Sequence, residues 1–125
     1  MDINKHYKEL SDIYHSNDAH AMQIKADLYC IDLNDLDVIE YLIFNTAYHN
    51  AYWPHTAKRF TAFINILKTK KNIVQFPGFE SLLLKVKSEI NRIKSSRWAI
   101  TTSGGKQHIK NLKTIFNILK SFKKA

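Results

Sequence analysis

The sequence has one cysteine, three glycines, two prolines and, beyond Glu89, no acidic residue at all. Each shortage excludes something. A lone Cys30 cannot form an internal disulfide; it fits a reducing compartment and reads as a small buried hydrophobe rather than a nucleophile. No apolar run reaches the roughly 18 residues that a membrane span needs. The opening "MDINKHYKELSD" is charged and polar, without the apolar segment of a secretory signal, so a cytoplasmic protein with no membrane partner is expected. Pro54 and Pro77 fall at element boundaries, and no repeat or low-complexity segment interrupts the chain. What is present argues for folding. At 125 residues and 45% hydrophobic content, with clear periodicity, the chain suits a single domain over residues 1–125 with one real core.

Charge is distributed unevenly. Residues 1–57 carry three lysines against nine acids, a net of −6, whereas residues 58–125 carry sixteen Lys and Arg against Glu80 and Glu89, a net of +14. Solvated helical faces usually mix signs, so a block this one-sided points to an anionic partner. The competing explanation is internal: the acidic half docks on the basic half and cancels it.

The periodicity is helical almost throughout. A first helix is predicted from about Ile3 to Ser16, and a second ends near Leu33, where "LYCI" also reads as a short strand. Asn34 or Asp35 caps a third helix, whose acidic first turn suits the helix dipole. Pro54 closes it and opens the next, "PHTAKRFTAFINILKTKK", with Phe60, Phe63, Ile64 and Leu67 as its buried stripe. "NIVQFPG" reads as an extended link. Phe79, Leu82, Leu83, Val86, Ile90 and Ile93 share one narrow arc, and a last helix from about Gly104 to Lys120 repeats the pattern with Ile109, Leu112, Ile115, Phe116, Leu119 and Phe122. The expectation is an all-α, compact bundle of five or six helices.

The stretch "SSRWAITTSGGKQHIKN" carries the functional question. A phosphate-binding P-loop needs GxxxxGK[ST] after a strand, and "TTSGGK" has neither the spacing nor the strand. Locally, Thr102 or Ser103 would cap the last helix, and Gly104 and Gly105 would let the chain turn sharply. A helix N-terminus also offers free amides to an anion, here beside Arg97, Lys106, Lys110 and the hydroxyls of Thr101, Thr102 and Ser103. On a helical wheel Lys106, Lys110, Lys113, Lys120 and Lys124 share a sector next to the apolar stripe. Such a lysine-lined helix suits contacts to a nucleic-acid backbone. Trp98 reads as a half-buried residue closing the core, or as a platform for a base. The expected nucleic-acid-binding set from this region is Arg92, Arg97, Trp98, Thr102, Ser103, Gly104, Lys106, Lys110 and Lys113.

Two stretches, "HTAKRFTAFINILKTKKNI" and "TTSGGKQHIKNLKTIFNILKSF", each place a small polar turn before a basic amphipathic helix. Together they are similar, over residues 36–122 and at the level of pattern, to the SAM-like helical core-binding domain of tyrosine recombinases and phage integrases. The resemblance implies that paired helices grip DNA and adds Thr56, Lys58 and Arg59 to the DNA-facing positions. Because that pattern runs to the end of the sequence, it implies an accessory or regulatory DNA binder from a phage or other mobile element, not a recombinase.

Dedicated chemistry is not expected. His49 and His55 are six apart and straddle Pro54, without the spacing that puts two metal ligands on one helical face. Asp32, Asp35, Asp37 and Glu40 are explained by capping and dipole. In "NTAYH" the polar-to-histidine spacing resembles helical ribonuclease sites, but the arginine those sites use is missing. No nucleophile, base and orienter combine, so neither enzyme activity, cofactor nor metal is expected. The sequence therefore predicts a non-enzymatic nucleic-acid binder, for DNA ahead of RNA. The alternative is a small helical inhibitor of the anti-defence or immunity type that binds a protein, with Tyr41, Phe44, Tyr48, Tyr52 and Trp53 as its anchors or as core.

Overall fold

The computed structural model describes residues 36–53 and 57–124, excluding the side chains of Val38, Lys58, Arg59 and Ala62. The two helices expected before Leu33, Cys30, His15, His20, His55, Pro54 and Thr56 lie outside the described residues. Within them the chain is all helix and connection: α1 (Leu36–Tyr52), α2 (Ala57–Lys68), a 3₁₀ turn (Lys71–Gln75), α3 (Phe79–Lys94), α4 (Arg97–Thr101) and α5 (Ser103–Phe122). Together they form a compact all-α unit, and none of these helices is long and apolar enough to cross a membrane.

Amphipathic spacing explains the assembly. All six apolar positions of α3 foreseen from their common arc are buried. α5 buries Leu112, Ile115, Leu119 and Phe122, while Ile109 and Phe116 pack half-buried at the edge of the same cluster. α1 contributes Ile39, Leu42, Ile43 and Ala47, and α2 contributes Phe63, Ile64, Ile66 and Leu67. α5 is the central element, with α1, α3 and α4 laid against it and α2 against α1. Removing these side chains from water, at about 25 cal/mol per Å² of apolar surface, is the main drive for the arrangement.

The connections depart from expectation in three places. "NIVQFPG" is not extended: Lys71–Gln75 winds as a 3₁₀ turn that buries Ile73, because that one apolar residue has to reach the core. The chain then reverses at Gly78, whose φ of +93° is a left-handed conformation that a Cβ disfavours. The Arg97–Thr101 segment, read as part of a turn, is a short helix capped by Ser96, whose hydroxyl accepts from the Ala99 amide at 3.4 Å. Lastly, Gly104 and Gly105 do not turn the chain. Both lie inside α5, which Thr102 caps by accepting from the Gly105 amide at 3.1 Å. Their smallness serves packing: a Cβ on Gly105 would come within 2.0 Å of the Ala99 carbonyl oxygen, and one on Gly104 within 2.6 Å of the Tyr52 ring.

Candidate nucleic-acid interface

The helical geometry of α5 puts Lys106, Lys110, Lys113, Lys120 and Lys124 on one exposed side. No carboxylate among the described residues forms an ion pair with any of the five. α3 runs antiparallel beside α5 and brings further cations to the same flank. Near one end of the seam Lys123 pairs with Glu80 at 2.9 Å. Further along, Lys87 joins Lys120, Lys123 and Lys124, with Glu80 as the one carboxylate, around a groove of about 480 Å³ lined also by Leu83, Leu84 and Phe116. Lys120 Nζ stands 5.5 Å from the centre of the Phe116 ring, a cation–π contact that anchors the lysine stem over apolar surface. Near the other end Lys94 of α3 faces Lys113 of α5 closely enough that the second ammonium pulls the Lys94 pKa below its ordinary value. Two like charges held together are destabilising alone and are relieved by an anion placed between them.

The residues expected at the interface divide between two places. Lys106, Lys110 and Lys113 lie in the cationic row, and Ser103 is exposed at the first turn of the same helix. Arg92 is elsewhere: it lines the cleft beside α1, and within α3 its Nε donates to Glu89 Oε1 at 3.0 Å and its Nη2 to the same oxygen. Glu89 keeps the guanidinium firmly charged through that bond. The Thr102 hydroxyl oxygen accepts the capping bond from Gly105, and Gly104 is covered by Tyr52. Arg97 and Trp98 sit exposed on α4, and Lys58 and Arg59 belong to α2. Composition had flagged every one of these cations, but only the packing of α3 on α5 assigns them to flanks. Lys87 and Lys94, seven residues apart and so on one side of α3, join the row although the expected set omitted them; that spacing was the available signal.

Trp98 does not close the core. It is 59% exposed and lies parallel to Tyr52, with ring centres 6.0 Å apart and planes at 15°. The two rings belong to an aromatic cluster that also holds Tyr48, His49, Trp53 and His108. Tyr48 packs tilted on Tyr52 at 4.9 Å and on Trp53 at 5.8 Å, and both Tyr48 and Tyr52 meet His108 edge-on. A cleft of about 390 Å³ opens among Tyr48, Tyr52, Trp98 and His108, with Glu89 and Arg92 at its side. Burial lowers the His108 pKa, so its imidazole is neutral at neutral pH. Burial likewise raises the Tyr52 phenol, with Tyr48 adding to the effect.

One polar network was not expected. Asn111 faces inward on α5, where its Nδ2 donates to the Ala47 carbonyl at 3.1 Å and to Asn50 Oδ1 at 3.0 Å. Its own Oδ1 accepts from Gln107 Nε2 at 2.7 Å. The network ties α5 to α1 beside the aromatic cluster.

The seven acids of residues 1–35 lie outside the described residues. Among those described, Lys85 of the basic half pairs with Glu40 of the acidic half at 2.9 Å, on the α1 side of α3 and away from the lysine row. No family model, no curated protein and no solved structure matches the chain.

Proposed function

We propose that this protein binds the phosphate backbone of nucleic acid, DNA ahead of RNA, through the cationic flank of α3 and α5, and that it acts as an accessory or regulatory binder with no catalytic step. The observation that carries the reading is the continuous row of Lys106, Lys110, Lys113, Lys120 and Lys124, extended across the helix seam by Lys87 and Lys94 and free of carboxylate partners among the described residues. Neutralising phosphates with lysines releases condensed counterions, so affinity depends steeply on salt. Five phosphate contacts on duplex DNA correspond to a slope of roughly −4 to −5 in log affinity against log salt. The core-binding-domain resemblance pairs α5 with α2 rather than with α3, so it supports the α5 lysines of this surface and not its α3 part.

The test is a gel shift with duplex DNA across a salt series. Wild-type protein should shift the duplex at low salt. The triple substitution Lys106→Gln, Lys110→Gln, Lys113→Gln should flatten the slope by roughly 3, at about 0.9 per lost contact. Absence of any complex at micromolar protein and low salt removes the reading.

A second reading has one specific observation behind it. Leu84 is 65% exposed at a groove that Leu83 and Phe116 also line, an apolar strip that a protein partner could cover. An inhibitor that docks a partner protein there would use Leu84 as its anchor. A nuclease-resistant complex of fixed stoichiometry, lost on Leu84→Ser, would favour that reading over the first.

A further inference from the structure

We infer that the cleft lined by Tyr48, Tyr52, Trp98 and His108 is a binding site for one unpaired nucleobase, which makes the protein a reader of single-stranded or unstacked positions as well as of backbone. This rests on the nucleic-acid reading and deepens it. Four observations meet in the cleft. Its walls are aromatic on several sides: Trp98, Tyr52, Tyr48 and the neutral ring of His108. Trp98 holds its ring largely in solvent rather than in the core, yet parallel to Tyr52, so a flat ligand can extend an existing stack. The Glu89–Arg92 pair at the cleft's side supplies a carboxylate acceptor and guanidinium donors, the complement of a base edge. And the cleft volume of about 390 Å³ falls within the range of small-ligand sites, about 300–1,000 Å³.

The surroundings narrow the ligand class. A site for a quaternary ammonium group would keep its carboxylate unpaired; here Arg92 neutralises Glu89, which leaves a planar neutral ring as the better guest. Arg97 precedes Trp98 on α4 and Lys94 ends α3 at the same corner of the bundle, so the strand carrying the base finds cations for its phosphates. The cleft opens on the α1 side of α3 and the lysine row on the α5 side. A strand that occupies both turns around the α3–α4 corner, which flexible single strands do readily and stiff duplex does not. Sequence-tolerant stacking of this kind is how single-strand binders combine rings with a basic track.

The full-length protein carrying Trp53→Phe, which leaves Trp98 as its sole tryptophan, is titrated with unstructured oligo-dT and with duplex of equal phosphate count. Oligo-dT should quench the Trp98 emission, and duplex should bind without comparable quenching. In the same background Trp98→Ala should weaken oligo-dT binding about tenfold or more while changing duplex affinity less than twofold, and Trp98→Phe should restore most of the loss. Trp98 emission unchanged on saturation with oligo-dT overturns the proposal even if Trp98→Ala proves unstable. Equal effects of Trp98→Ala on both ligands overturn it too, while leaving the backbone reading in place. No binding of either ligand overturns both.

Discussion

Asn111 is a polar residue on the inward face of the most central helix, and its cost is covered only because all its hydrogen-bonding groups find partners in Ala47, Asn50 and Gln107. Asn111→Ala therefore both opens a void and strips Asn50 of its donor, and should lower unfolding stability by about 1–3 kcal/mol in urea denaturation. A change smaller than a few tenths would show that the network holds nothing together. The glycines separate two kinds of crowding. Gly105→Ala drives a Cβ into the backbone of α4, which cannot rotate away, so a loss of about 1–3 kcal/mol or more follows. Gly104→Ala meets a side chain, the Tyr52 ring, which can swing aside. It should cost less stability but disturb the Tyr52–Trp98 stack, read as a change in Trp98 emission. His108 adds a pH dependence. Burial lowers its folded pKa below the ordinary 6.5, so the unfolded chain binds the proton more readily. Its contribution to stability is complete above about pH 7 and is lost as pH falls below 6.5 toward the folded value. His108→Gln should remove that segment of the stability-against-pH curve, and a curve unchanged over this range would contradict a buried neutral imidazole.

At the level of elements, α5 is held by its two ends as much as by its stripe. Thr102 closes the N-terminus, and Lys120 and Lys123 stand near the C-terminal carbonyls, where positive charge is favourable. Replacing the cap in Thr102→Ala should cost about 1 kcal/mol, and an unchanged melting curve would assign the first turn's order to the Gly105–Ala99 contact instead. The stripes of α3 and α5 could be read from spacing alone because each is a single helix with a strict period and no glycine or proline inside its apolar run. The stretch from Lys70 to Phe79 could not, since a 3₁₀ turn carries one buried residue, Ile73, and one residue has no period. Likewise the "RWAIT" helix is five residues long, too short for periodicity to distinguish it from a turn.

For the whole molecule, charge is the controlling quantity. Fourteen of the sixteen cations of the basic half have described side chains, set against Asp37, Glu40, Glu80 and Glu89, and none of the five lysines of the α5 row forms an ion pair with those carboxylates. Self-repulsion of this kind opposes folding and is screened by salt over about 10 Å at 0.1 M. Raising sodium chloride from about 0.05 to 0.5 M should therefore raise the melting temperature of the free protein while weakening its nucleic-acid complexes. A melting temperature that falls with salt would mean that attractive pairs outweigh the repulsion.

The sequence by itself determined the helical class, the buried arcs of α3 and α5 and the lysine sector of α5. All three are properties of a single helix, where a residue's position along the chain sets its angle around the axis. Tertiary structure alone decided which helix flanks share a surface. It put Lys87 and Lys94 beside the α5 row, sent Arg92 to the opposite flank with Glu89, left Trp98 outside the core against Tyr52, and made packing rather than turning the use of Gly104 and Gly105. Those outcomes depend on how helices far apart in the chain cross and how closely their backbones approach, and local spacing carries no information about either.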